Sequence, residues 1–311
     1  MDHQNTTSSR AAIDPGAAIG WAALTVADLQ RSLDFYIDVL GFKQLDRQER
    51  SALLGTDSQP LLLLQEQPGA LPRQPRTTGL YHIAILLPDR IDLGHVLQRI
   101  ATRYKLDGYA DHLVSEALYL SDPDGNGLEI YRDRARGEWQ WRGGQVRMAS
   151  DPIDLSGMVR EAELSGRVWE GLPEGTTIGH MHLQIGDLAQ AEAFYHGVLG
   201  FDVVARMPGA LFVSAGGYHH HLGLNTWQSR NAPPAPDNSA GLHIFAISVP
   251  DEQAQRAVAE RLEAAGVAVT EQTSGLVFHD PWRNAIMLIP VARHNDAVAQ
   301  VAAGQLAGVT I

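Results

Sequence analysis

Residues 19–42 read IGWAALTVADLQRSLDFYIDVLGF, and residues 178–201 read IGHMHLQIGDLAQAEAFYHGVLGF. Asp28 matches Asp187, Phe35-Tyr36 match Phe194-Tyr195, and Gly41-Phe42 match Gly200-Phe201, all at one constant offset. A second pair follows: GLYHIAILLPD at 79–89 and GLHIFAISVPD at 241–251. Self-similarity at a fixed spacing is the signature of repeated supersecondary units. The chain therefore divides into two halves, each holding two different units.

Each unit opens on an apolar, β-branched run, such as 22–26, that suits a strand. In the first unit Asp28 can cap a helix whose apolar stripe is Leu29, Leu33, Tyr36, Ile37 and Leu40. Gly41 suits the left-handed position that closes it. Short apolar segments at 61–64, 117–120, 128–131, 211–214, 222–224 and 286–289 alternate with turn formers such as DPDGNG at 122–127. The pattern predicts strand, helix and about three strands, four times over, at 19–66, 79–135, 177–227 and 241–292. Residues 1–18 read as a disordered or extended polar tail, 136–176 as a connector with one short helix, and 293–311 as a helical C-terminal tail.

Composition narrows the function. The 311 residues carry a net charge of -12 with no Lys/Arg block, which argues against nucleic acid and anionic membranes as partners. No apolar run reaches the eighteen or so residues of a membrane helix, and residues 1–16 lack a signal peptide's apolar centre. A cytoplasmic protein is expected. Cysteine is absent, which removes disulfides, thiolate metal sites and cysteine nucleophiles together. Thirteen histidines remain, so a metal site would use imidazole and carboxylate ligands.

A βαβββ unit repeated in pairs, opening with strand, Asp-Leu, helix, Phe-Tyr and then VLGF, resembles the vicinal oxygen chelate superfamily. Four units in one chain resemble its type I extradiol dioxygenases, the bacterial catechol 2,3-dioxygenase-like branch. The resemblance covers roughly 19–292. It implies an α+β fold in which four βαβββ modules form two paired, curved-sheet, barrel-like units. It also implies metal ligands on the opening strands and on a last strand. At the opening-strand position stand Trp21, His82, His180 and Ile244. The last-strand carboxylate is Glu129 in unit two, and its counterpart in unit four is Met287. Units two and three together thus offer His82, Glu129 and His180, a 2-His-1-carboxylate set suited to Fe(II), with Mn(II) also acceptable.

In the type I dioxygenases the site usually lies between units three and four, which here would offer His180, Ile244 and Met287. Either units two and three pair in space, or two chains exchange units; the first is simpler. The resemblance further implies His220 in YHHHLGLN (218–225) as an acid–base group, with His112 and Tyr119 near the substrate. His220 is expected on a strand, facing away from His219 and His221. The three imidazoles are aligned with 61–63 of unit one.

A lone histidine in an apolar strand is more often a hydrogen-bonded core residue than a ligand. His82 and His180 escape that reading because they share one repeat position while a Glu stands at the third. His182 shares a face with His180 and is an alternative ligand. His243 is one residue out of register and reads as structural. The DPDGNG segment lacks the later ligands of an EF-hand and reads as a turn.

Three functions compete. An extradiol dioxygenase would act on a small aromatic diol and O2, and the reading admits a homo-oligomer. A glyoxalase-type Zn(II) or Ni(II) isomerase would need a second carboxylate from the partner unit, and 211–227 contains neither Asp nor Glu. A metal-free, antibiotic-sequestering module would have no use for the His-His-Glu set.

Overall fold

The computed structural model describes residues 12–306. Two eight-stranded sheets divide the units between them. Units one and four form the scaffold sheet, with Ala18–Val26 and Gly241–Val249 antiparallel at its centre. Units two and three form the second sheet, around Gly79–Leu87 and Thr177–Gln184. In both sheets each opening strand is flanked in parallel by its own unit's last strand. Both central pairs carry register shifts. Such bulges bend a sheet and re-aim its side chains. Units two and three pair within one chain, so no exchange between chains is needed to bring His82 and His180 together.

The four helices following the opening strands start alike. Asp28, Asp89, Asp187 and Asp251 each accept a backbone N–H three residues on, a cap worth about 1 kcal/mol. In units two and four the helices are regular, Arg90–Arg103 and Glu252–Ala264. In units one and three a short α-helix, Leu29–Leu33 or Leu188–Ala191, widens into π-helical turns at Asp34–Val39 and Glu192–Val198. A 3.6-residue stripe does not announce that widening. Gly41 closes the first with φ 84°, and a Cβ there would lie 2.7 Å from the Trp169 ring.

The repeated Phe-Tyr pair ties the sheets together. The Tyr36 hydroxyl of unit one donates to Asp122 of unit two at 3.0 Å, and Tyr195 of unit three donates to Asp280 of unit four at 2.8 Å. Asp122 also accepts from the Asp124 and Asn126 backbone and from the Asn126 side chain. DPDGNG is thus a buried structural turn. Leu24, Leu62, Ile83, Ile85, Met181, Leu183, Phe245 and Ile247 build the main core from both sheets. On the scaffold sheet's other face, Trp21, Ala23, Leu63, Ile244 and Met287 pack with Ala297, Val298 and Val301 of the C-terminal helix His294–Ala302.

Two details depart from the sequence reading. Residues 12–18 are not a free tail: Ile13 is buried, and its N–H donates to the Gly200 carbonyl at 3.0 Å. The remainder of the expected tail, 1–11, and residues 307–311 lie outside the described residues. The connector holds helix Leu155–Leu164 and also a hairpin, Trp141–Arg142 with Gln145–Val146. Its Val146, with Trp139 before it, joins Val114, Phe212 and Tyr218 in a small apolar cluster over the second sheet. Among the described residues no helix is long and apolar enough to cross a membrane.

Candidate metal centre

The register of the second sheet decides what meets on its concave face. His182 stands opposite His82, His180 opposite Ala84, and Ala84 in turn beside Glu129 on the parallel last strand. Glu129 Oε2 lies 3.0 Å from His82 Nε2 and 3.1 Å from His180 Nε2. One donor atom from each of the three residues falls within 4.8 Å of the others, an arrangement that could hold a metal ion. All three side chains are buried, and His82 Nε2 and His180 Nδ1 have no well-formed hydrogen bond. The corresponding face of the scaffold sheet carries only buried apolar groups there.

Electrostatics favour forms of these groups that could bind a metal. Burial lowers the His82 and His180 imidazoles below their ordinary range despite the adjacent carboxylate, so each keeps a lone pair. Burial opposes ionisation of Glu129, but the two flanking imidazoles outweigh it and hold the carboxyl well below its usual range. Two neutral imidazoles and one carboxylate suit a divalent cation. The strand carrying His180 leaves little room: a Cβ on Gly179 would sit 1.8 Å from the Tyr131 hydroxyl, which bonds Tyr218 at 2.7 Å.

His220 reaches the same place by a different route from the one expected. Residues 218–221 are not strand; they form the turn region before Leu222–Asn225. The register sets Met181 against Leu222 and Ala22 against Leu62, so Leu62 corresponds to Leu222 and the three imidazoles precede the strand. Alternation therefore does not apply. Gly216 and Gly217, both at positive φ, turn the chain instead. The His220 ring lies 4.1 Å from the His180 ring, centroid to centroid. His219 and His220 do not diverge, because their Nδ1 atoms are 2.8 Å apart. His219 Nε2 lies 2.8 Å from Asp133 Oδ1.

This chain of contacts sets protons. An ionised carboxylate only accepts, so His219 donates from Nε2, and with a single ring proton its Nδ1 is left as an acceptor. His220 must then donate from Nδ1, which leaves its Nε2 lone pair free. Burial first, then the surrounding imidazoles, push His220 well below its ordinary range. The result is a neutral imidazole beside His180.

On the opposite flank, His112 Nδ1 donates to the Ala149 carbonyl at 2.6 Å, and its Nε2 meets the Tyr119 hydroxyl at 2.6 Å. Tyr119 stands opposite Glu129 in the ladder. Burial and then the Glu129 charge raise its phenol well above the usual range. His182 is buried beside His82 but outside the three-atom cluster. His243 lines a separate cleft of about 610 Å³ that includes none of the three cluster residues, and burial lowers it to about 4.

Asp133 and His219 were not singled out in the sequence. Asp133 lies four residues beyond Glu129 on one strand, hence on the same face. That alternation was available as a signal; the partner histidine, placed by a turn, was not.

A family model described as the Glyoxalase/Bleomycin resistance protein/Dioxygenase superfamily matches residues 18–130 and 177–288. The chain belongs to that superfamily. A catechol-2,3-dioxygenase of Bacillus subtilis (strain 168) is 48% identical over 268 residues, covering 85% of this chain and 93% of that protein. Among solved structures, a Bacillus subtilis protein provisionally called a dioxygenase aligns with TM-score 0.60 and 16% identity, over 90% of this chain and 86% of the other. Glyoxalase I from Zea mays aligns with TM-score 0.54 and 16% identity, over 92% and 95%. At such identities the structural likenesses speak for the fold alone.

Proposed function

We propose that this member of the superfamily is a metal-dependent extradiol dioxygenase, opening catechol-type rings with O2 at a centre held by His82, Glu129 and His180. Fe(II) is the metal this ligand set suits, with Mn(II) acceptable. The observation that carries the reading is the asymmetry of the site. Ala84 has Glu129 beside it on unit two's last strand, whereas the same position on unit three's last strand is Gly223, beside His182. A glyoxalase-type isomerase would need its second carboxylate there. Without it, the site offers one carboxylate instead of two, which leaves coordination positions for a chelating diol and dioxygen. The 48% identical relative carries the name catechol-2,3-dioxygenase.

When bound, the metal would hold both diol oxygens and pass electrons between the ring and dioxygen. The rest falls to the chain. His220 Nε2 is the lone pair placed to take a diol proton and later return it, a task for which imidazole is suited. Asp133 and His219 hold His220 in the tautomer that does so. The Tyr119 hydroxyl, backed by His112, presents a hydrogen-bonding group on the Glu129 side. Trp139, Phe212 and Tyr218 close the site against water from the connector's side.

The test is oxygen consumption by protein loaded with Fe(II) under argon and then supplied with O2 and a panel of catechols. Catechol-dependent uptake is expected. Loaded protein that consumes no oxygen with any catechol, yet isomerises a hemithioacetal, would overturn the assignment.

A further inference from the structure

The four units allow one position to be compared four times within the molecule. Two residues beyond the opening-strand metal position stand Ala23, Ala84, His182 and Ala246. Their parallel partners on the last strands are Leu63, Glu129, Gly223 and Met287. Three units pair an alanine with a long side chain. Unit three inverts the sizes and pairs an imidazole with a glycine. The exchange is a packing necessity once made, because a Cβ on Gly223 would lie 2.9 Å from the His182 ring. Shape alone does not require it, since alanine with a longer partner serves the other three.

His182 is buried, and its Nε2 has no hydrogen-bond partner. An unpaired buried imidazole nitrogen is destabilising, so it calls for a partner that arrives from elsewhere. Its ring lies 4.8 Å from His82 and 4.9 Å from Tyr81, and 5.5 Å from Trp227, which is 50% exposed. On the dioxygenase reading, a diol held beside His82 would bring its ring substituents toward this imidazole.

We propose that His182 is a specificity-determining residue, whose Nε2 hydrogen-bonds a polar substituent on the ring of the bound diol. The inference rests on the dioxygenase reading and names its substrate class: catechols with a hydroxyl, carbonyl or similar group, over alkyl-substituted ones. His182 is not a ligand, and its loss leaves the metal in place.

The experiment compares two probes that differ by a single hydroxyl, 4-methylcatechol and 3,4-dihydroxybenzyl alcohol. Each is titrated calorimetrically into the full-length, Fe(II)-loaded protein under argon, so the readout is binding and not turnover. Wild type should bind the alcohol more tightly. In His182→Ala, which installs the residue that the other three units carry, that preference should fall about 3–10-fold, the worth of one hydrogen bond. His182→Gln should recover part of it. An unchanged preference in His182→Ala overturns the inference and leaves the dioxygenase reading intact. Loss of metal from His182→Ala overturns it by making His182 a ligand. Wild-type protein that binds neither diol would instead remove the reading beneath it.

Discussion

Replacing Asp133 with asparagine tests whether the three-residue relay behind His220 matters. The carboxylate accepts from His219 Nε2 at 2.8 Å, and His219 accepts from His220 through Nδ1 atoms 2.8 Å apart. Asparagine can present its amide N–H to His219 Nε2 instead. The His219 proton then moves to Nδ1, His220 must accept there, and the His220 proton moves to Nε2. The lone pair that faces the substrate is lost. Asparagine can also turn its carbonyl toward His219 and keep the productive arrangement, with a weaker bond. Hydrogen bonds to an ionised group are roughly twice as strong as neutral ones, a difference of about 1–1.5 kcal/mol. That alone lowers the productive population about 5–10-fold. The ceiling is the whole worth of acid–base help, about 10²–10⁴-fold. We expect kcat to fall about 10–100-fold in Asp133→Asn, with metal content and diol affinity near wild type. The assay is steady-state oxygen uptake with catechol, with metal measured on the same preparation. A kcat within twofold of wild type in fully loaded protein would refute the relay.

Two further predictions concern the frame around the site. Gly179→Ala would force Tyr131 away from Tyr218, combining overpacking with unpaired buried hydroxyls. We expect a loss of about 2–5 kcal/mol in denaturant unfolding, and a change below about 0.5 kcal/mol would contradict the packing argument. Asp122→Ala removes the acceptor shared by Tyr36 and the turn at 122–126, and should cost about 3 kcal/mol or more. Its metal stoichiometry should be unchanged; metal loss at unchanged stability would show that the turn belongs to the site.

The repeat carried most of the fold. Asp28 and Asp187, Gly41 and Gly200, and the Phe-Tyr pairs sit where the same local physics is solved twice, so one reading served two units. The π-helical turns escaped, because Leu33, Tyr36, Ile37 and Leu40 bury the same stripe whether the helix is α or π. His82, Glu129 and His180 could be found because each stands on a strand, where register is periodic. His219, His220 and His221 follow a two-glycine turn, and there the period-two rule gave the wrong facing. Asp133 was within reach of that same rule, yet its meaning depends on His219, whose position only the turn decides. The scaffold sheet's helical cover was legible as a C-terminal helix but not as a partner for Trp21 and Met287.

The central claim is that one metal sits between units two and three. Protein purified and loaded with Fe(II) under argon should carry one equivalent per chain. His82→Ala, Glu129→Gln and His180→Ala, prepared alongside and shown to be folded by circular dichroism, should each retain only a small fraction. Full stoichiometric metal in all three variants would contradict the site, and the mechanism built on it.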